Sequence, residues 1–437
     1  MYFFKLNKLN KLNKLNELNE LNELNKLNEL NELTLLLNSF NKQILIKELR
    51  EKFNSEFTEE KYRSLVKDLD SEFNHKVDFR IAETPIFLPE NFKKELFKAS
   101  DELIAILESK EFREYSKGAL PDNMAVPNED EHPVLLSLDF AICTDEQGNL
   151  IPQLIELQGF ASLYCYQELL NITMRKHFDI GDGLQTHFSG LNNETYLKKF
   201  REVIVGDSDP ENVILLEIEP EKQKTYIDFL CTEKYIGVRP VCLTKVIKEG
   251  RKLYYEYNGR KIPIDKIYNR VIYDELSKRK DIKYNFRFTE ELDVKWIAHP
   301  NWFFKISKYS MPFLKSKYVP PTEFLSDIKE YPSDLENYVL KPLFSFAGVG
   351  VVFDVKKELL DSIEDKSKYI LQKKVHYEPC IKTFDIPAKA EIRLLFVWDD
   401  KPRLINNLVR LSKGDMMGVD FNKDKTWVGS SIAYYVK

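Results

Sequence analysis

Apolar residues change their spacing several times along the chain, and each change marks a different kind of element. From Leu6 to Leu33 leucine recurs at every third position, with Asn after most of them and then Lys or Glu. Three is neither the 3.6 period of a helix nor the 3.5 of a coiled coil. On a helix each such step falls about 60° short of a full turn, so the leucines spiral around the cylinder and build no single face. Frequent Asn also lowers helix propensity. Residues 1–34 read as a low-complexity appendage, disordered or a marginal helix, with a zipper as the alternative.

From Leu35 to Tyr115 the spacing becomes three and four. Glu59 to Phe73 and Phe92 to Leu107 predict helices, punctuated by Pro85, Pro89, Pro121 and Pro127. From Val134 the texture turns to short β-rich runs. Val213 to Leu216 predicts a buried strand, Glu221 to Glu233 a helix, and Gly237 to Cys242 the next strand. Asn258-Gly259, between Lys252–Tyr255 and Lys261–Ile262, predicts a tight hairpin. This alternation predicts an α/β unit over residues 205–300.

Two further hairpins and one loop carry the candidate chemistry. In Val134–Ile142, Leu136, Leu138, Phe140 and Ile142 share one face and Ser137, Asp139 and Ala141 the other. A turn at Gln147-Gly148 sets Asp139 opposite Glu156 on the returning strand, with Gln158 two residues on. Carboxylates about 5 Å apart at Cβ repel unless a cation or proton intervenes. Their oxygens with an amide suit Mg²⁺; a solvated polar face is the competing reading. Pro152 lacks an N–H and favours a bulge in this pair.

Tyr338–Pro342 predicts a strand, followed by Ser345-Phe346-Ala347-Gly348-Val349-Gly350 and a strand at Val351–Phe353. Backbone amides of such a loop can fold over phosphates, with Lys341 supplying charge. The lysine precedes the loop, so this is not a Walker arrangement, and an ordinary glycine hairpin stays open. In the third hairpin a turn at Asp400-Lys401 sets Glu391 against Arg410, with Arg393 beside them. Arginine forks suit phosphate; a cross-strand ion pair on a wet face reads equally well.

Composition narrows the classes. The 437 residues exceed one ordinary core and predict two or three domains, and 43% hydrophobic content excludes wholesale disorder. A net charge of −5 gives no global footprint for nucleic acid. No apolar run reaches the roughly 18 residues of a membrane span, and Tyr2-Phe3-Phe4 before Lys5 is too short for a secretory core. Five scattered cysteines without a CxxC pair predict reduced thiols in a cytoplasmic protein. The six histidines have no ligand-like spacing.

Taken in order, these motifs resemble the circularly permuted ATP-grasp family, of the glutathionylspermidine synthase-like type. Asp139 and Glu156-Leu157-Gln158 come first, and Lys341, the loop 345–350 and Glu391 to Arg410 come last. Thr225 and Asp228, Tyr268-Asn269-Arg270 and Pro320-Pro321-Thr322 add to the match. It covers residues 130–437 and none of 1–120. The resemblance implies an α+β / α/β protein, a permuted ATP-grasp fold with an inserted α/β pre-ATP-grasp-like domain and a helical N-terminal region. The expected organisation is an appendage (1–34), a helical region (35–120), a metal-bearing half (121–205), the α/β domain (206–300) and an ATP-binding half (301–437).

By residue, the resemblance implies Mg²⁺ on Asp139, Glu156 and Gln158. It implies ATP on Lys341 and Lys308, with Lys305 as the rival of Lys308. Ser345, Phe346, Ala347, Gly348 and Gly350 would cover the phosphates, and Gln372, Lys373 and Val375 would lie in the hinge whose backbone meets adenine. Arg410 and Arg393 would stabilise the transferring phosphate. The family has Asn where this chain has Gln158, one methylene longer, and commonly Gly where it has Ala347. The activity implied is ATP- and Mg²⁺-dependent ligation of a small-molecule or peptide carboxylate to an amine or thiol through an acyl phosphate. A catalytically degenerate ATP-binding sensor or scaffold is the alternative. The expected partners include neither nucleic acid nor membrane. Gly159-Phe160-Ala161-Ser162-Leu163-Tyr164 is the candidate lining of the acceptor site.

Overall fold

The structure is a computed structural model that describes residues 46–344, 348–414, 417 and 422–437. The Leu-Asn repeat and Ser345, Phe346 and Ala347 lie outside the described residues. Helices come first: α1 (46–56), α2 (Glu59–Ser71) and α3 (Glu90–Glu108). Thr58 starts α2 by accepting the Lys61 amide, and Glu59 and Glu60 place negative charge at its positive end. The first hairpin is β1 (Leu135–Thr144) and β2 (Leu150–Gln158), followed by α4 (Tyr164–His177). Then come β3 (Val213–Glu217), α5 (Tyr226–Ile236), β4 (Arg239–Cys242), β5 (Lys266–Asn269) and β6 (Lys295–Ile297). A three-stranded group follows, β7 (Thr322–Phe324), β8 (Tyr338–Pro342) and β9 (Tyr369–Lys373). The second hairpin, β10 (Lys389–Trp398) and β11 (Pro402–Ser412), precedes β12 (Gly429–Ser431).

Three of the sheets position the site. The largest is antiparallel throughout, in the order β12-β11-β10-β1-β2. The second is parallel, β6-β5-β3-β4. The third is antiparallel, β7-β9-β8. The fold is therefore mixed α and β, with the parallel sheet falling where the strand–helix–strand alternation predicts it.

The large sheet is oriented by its apolar face. Leu136, Leu138, Phe140 and Ile142 of β1 join Ile392, Leu394 and Phe396 of β10 in one core with Phe92, Leu96, Ala99 and Leu103 of α3. Burying each such leucine or phenylalanine contributes about 1.5–3 kcal/mol. A one-residue slip would turn that whole set outward and drive Asp139 into the core, so the register is firmly held. The charged side chains occupy the opposite face.

Two local expectations change. The helix predicted from Glu221 begins at Tyr226, because Pro220–Lys222 forms a short 3-10 turn and Gln223 is extended. The strand predicted at Val351–Phe353 reduces to one bridge, Val352 against Leu340. The Asn258-Gly259 hairpin forms as predicted, with φ of 51° and 71° at the two loop residues. All five cysteines are unpaired. Among the described residues no helix is long and apolar enough to cross a membrane.

Candidate functional site

The two charged hairpins share one sheet, since β1 pairs directly with β10. Asp139 stands opposite Glu156, as the alternation predicts, but the turn is centred half a residue away from the expected place. Thr144 pairs with Leu150, and a bulge at Ile155 restores the Asp139–Glu156 register. The second hairpin repeats the device: Trp398 pairs with Pro402, and a bulge at Ile405 sets Glu391 opposite Arg410. The first bulge directly precedes Glu156, while the second lies nearer the turn and shifts the register of the whole stretch that leads to Arg410.

Asp139 is fully buried, and Arg393 grips it with Nε on Oδ1 at 2.7 Å and Nη2 on Oδ2 at 2.6 Å. Arg410 Nη2 lies 3.3 Å from the same Oδ2 and also bonds Glu391 Oε1. Tyr377 donates to Glu391 Oε2 at 3.0 Å. Burial works against the Arg393 charge, and the Asp139 carboxylate more than offsets it, so the guanidinium is held above its ordinary value. Burial likewise pushes the Asp139 carboxyl up, with Glu391 adding to it and Arg393 opposing. The paired short contacts match an ionised carboxylate in an arginine fork, and that charged pair is the state the geometry describes.

The lysines approach from the other side of Glu156. Lys341, on β8, reaches across to the large sheet and donates to the Ile155 carbonyl at 3.3 Å, at the bulge itself. Lys308 Nζ lies 3.2 Å from Glu156 Oε1. Burial pushes the Lys341 amine down to about 8, despite Glu156. Burial pushes the Glu156 carboxyl up, but Lys308, Arg393, Lys341 and Arg410 together outweigh it and hold its pKa low. Four cationic side chains thus surround the three carboxylates Asp139, Glu156 and Glu391. Lys305 faces elsewhere: its Nζ bonds Glu129, whose other oxygen accepts from Asn301 at 2.6 Å.

The remaining candidates are more dispersed. Gly348 and Gly350 lie in an exposed turn with φ of 77° and 75°. Gln372 is buried, and its amide donates to Thr322 Oγ1 at 3.0 Å. Lys373 is exposed, and its backbone N–H donates to the Pro321 carbonyl at 2.8 Å. Val375 is half-buried just beyond β9. Ser345, Phe346 and Ala347 fall outside the described residues.

One participant carries no sequence signal. Tyr377 sits in an aperiodic stretch 14 residues before Glu391, and only the fold brings it there. The segment after β2 is clamped from the parallel sheet. Arg270 Nη1 donates to the Phe160 and Ala161 carbonyls, each at 3.1 Å, and its guanidinium lies over the Phe160 ring. Buried Asp228 accepts from the Leu163 and Tyr166 amides, each at 2.9 Å, so it caps α4 while Leu163 holds φ of 70°. Beside Leu163 opens a cavity of about 640 Å³ with Arg393 and Arg410 in its wall. Tyr62 and Val66 of α2 and the irregular chain at residues 76–81 supply much of the rest.

Among the described residues no group of three or more His, Cys, Asp or Glu side chains is arranged to hold a metal ion. Both Asp139 oxygens lie in the Arg393 fork. Glu156 uses one oxygen on Lys308 and stands two residues from half-buried Gln158 on the same strand face. One carboxylate and one amide suit Mg²⁺ that takes its other ligands from phosphates and water.

No family model and no curated protein matches the chain. Among solved structures it resembles the apo form of a glutathione synthetase-like effector from Globodera pallida. The TM-score is 0.53 at 9% identity, over 90% of this chain and 97% of that one. The two share a fold. At that identity the likeness extends to the arrangement of sheets and helices and not to any activity.

Proposed function

We propose that the chain is a permuted ATP-grasp-type ligase, which binds Mg-ATP and joins a carboxylic acid to an amine or thiol. The observation that carries the reading is the meeting of two sheets at the Ile155 bulge. There Lys341 and Lys308 from one side and Arg393 and Arg410 from the other converge on Glu156 and Asp139. Such a set suits a polyphosphate that must be gripped at one end and relieved of charge at the other. The order of the motifs and the shared fold of a glutathione synthetase-like protein support the same reading.

In this proposal Lys341 and Lys308 bind phosphate oxygens. Glu156 and Gln158 would hold Mg²⁺, which supplies charge neutralisation on the phosphates when bound. Arg410 and Arg393 face the transferring group, and Asp139 fixes the Arg393 fork. A substrate carboxylate oxygen attacks the γ-phosphorus, the bond to the bridging oxygen breaks, and ADP leaves. The amine or thiol then attacks the acyl carbon, the carbon–oxygen bond to phosphate breaks, and the proton lost from nitrogen or sulfur passes to the departing phosphate or to water. The chain's own work is positioning and charge stabilisation, so no side-chain nucleophile is required.

A second reading has one specific support. Asp139 is engaged by arginine at both oxygens, as fits a binding protein that retains the nucleotide and has lost turnover. The test is the melting temperature with and without Mg-ATP, in wild type and in Lys341→Ala. Ligand at 100 times Kd stabilises by roughly 2.7 kcal/mol, which shifts the midpoint by several degrees. The reading expects a shift in wild type that shrinks in the variant. No shift at millimolar Mg-ATP overturns both readings, and ADP release across acid–amine pairs separates them.

A further inference from the structure

We infer that the 640 Å³ cavity binds the acid substrate, and that this acid is a monocarboxylate with an apolar, uncharged body. The assignment to the acid rests on the ligase reading; the binding selectivity stands independently of it. The volume lies within the about 300–1,000 Å³ usual for small-molecule sites.

The floor is built for one anion. Arg393 spends Nε and Nη2 on Asp139, and Arg410 spends Nη2 on Asp139 and Glu391. Arg393 Nη1 and Arg410 Nη1 and Nε have no protein partner among the described residues, and the Arg410 side chain is 41% exposed. Ser430, the register partner of Arg410, adds a buried hydroxyl that also lacks a partner. Guanidinium N–H groups beside a hydroxyl match a single carboxylate.

The walls refuse further charge. Val66, Val77, Phe79, Ile81, Leu163 and Leu408 line them. Asp70 and Asp78 also face the cavity and oppose a second anion. Of the basic neighbours beyond the floor, Arg80 is engaged by Glu83 and the Val428 carbonyl, and Lys76 and Lys423 are both exposed to solvent, which screens their charge. A diacid would leave its second carboxylate desolvated against apolar groups.

The wall is preset. The Ser430 amide donates to the Arg80 carbonyl and the Ala82 amide to the Ser430 carbonyl, each at 2.8 Å. Gly429, at φ of 123°, permits this approach: a Cβ there would lie 2.4 Å from the Arg80 oxygen. Segment 80–82 is thereby sewn to the edge of the sheet that carries Arg410.

The test is calorimetric titration of the full chain, without nucleotide, with N-acetyl-L-phenylalanine, N-acetyl-L-phenylalaninamide and N-acetyl-L-glutamate. The acid with the apolar body should bind at least about tenfold tighter than either of the others. Val66→Asp should weaken it by about tenfold or more, and Val66→Asn, which adds polarity without charge, by less. Circular dichroism confirms that the variants are folded. Equal binding of the amide, tighter binding of the glutamate, insensitivity to Val66→Asp, or no binding at millimolar concentration overturns the assignment. If the selectivity holds while Mg-ATP fails to bind, the pocket stands and the ligase reading falls.

Discussion

Asp139 and Arg393 lie 254 residues apart in the chain and side by side in the sheet. They are register partners on β1 and β10, and the guanidinium grips both carboxylate oxygens. Removing one member leaves a buried charge unpaired, which costs about 3–5 kcal/mol. Asp139→Asn should therefore destabilise the protein by about that amount in urea denaturation. The pair Asp139→Leu/Arg393→Met should recover a large part of the loss, because it removes both charges. A double variant no more stable than Asp139→Asn would show that the pair matters through packing instead.

Much of this pairing was legible in the sequence, and the part that was not has a physical cause. Alternation in Leu136–Ile142 separates the apolar face from Asp139, and the turn residues place Glu156 and Arg410 opposite their partners. Both pairings arise through bulges at Ile155 and Ile405, which conceal the true turn centres from any count of residues. The edge-to-edge joining of β1 and β10 is a long-range contact that no local pattern encodes. Tyr377 comes from an aperiodic stretch, and the cavity wall at 77–81 is a chain crossing without a repeat. The choice of Lys308 over Lys305 near Glu156 rests on the capped 3-10 turn that Ser307 begins. Neighbouring lysines three residues apart look alike until that turn is fixed.

Asp228, in the first turn of α5, ties the segment after β2 to that helix. Its carboxylate accepts two amides at the start of α4, where Leu163 holds a left-handed conformation. Asp228→Ala should cost about 1–2 kcal/mol for the lost cap, with the strained segment released. Asp228→Asn keeps one acceptor and should lose less. Hydrogen exchange at Leu163 and Tyr166 reports the change directly. Unchanged protection in Asp228→Ala would contradict the clamp.

Glu217 sits buried at the end of β3, and burial pushes its carboxyl up to about 8. An unfolded glutamate titrates near 4.3. Between those values the folded state binds the extra proton, so this group's contribution to stability falls as pH rises through the window. Glu217→Gln removes that loss and should make the protein more stable than wild type at pH 8. The advantage should shrink steadily as pH approaches 4.5, with a slope bounded by about 1.4 kcal/mol per pH unit. Melting curves at four pH values check it, and an advantage independent of pH would refute the assignment.

Lys341 gives the proposed nucleotide site its own pH signature. Burial lowers its amine to about 8, against about 10.4 for a free lysine. Between those values the unfolded chain holds the extra proton, so the contribution to stability rises with pH. Binding should run the other way. The amine is charged below pH 8, and phosphate beside it favours the charged form. Above pH 8 the free protein must take up a proton to bind, so Mg-ATP affinity should fall by up to about tenfold per pH unit. Lys341→Arg keeps its charge throughout this range and should flatten the profile, whatever its affinity at neutral pH. Titrations at pH 7, 8 and 9 in two buffers of different ionisation enthalpy would measure both the affinity and the proton uptake. A wild-type profile as flat as that of Lys341→Arg, with no proton uptake, would remove Lys341 from the nucleotide site.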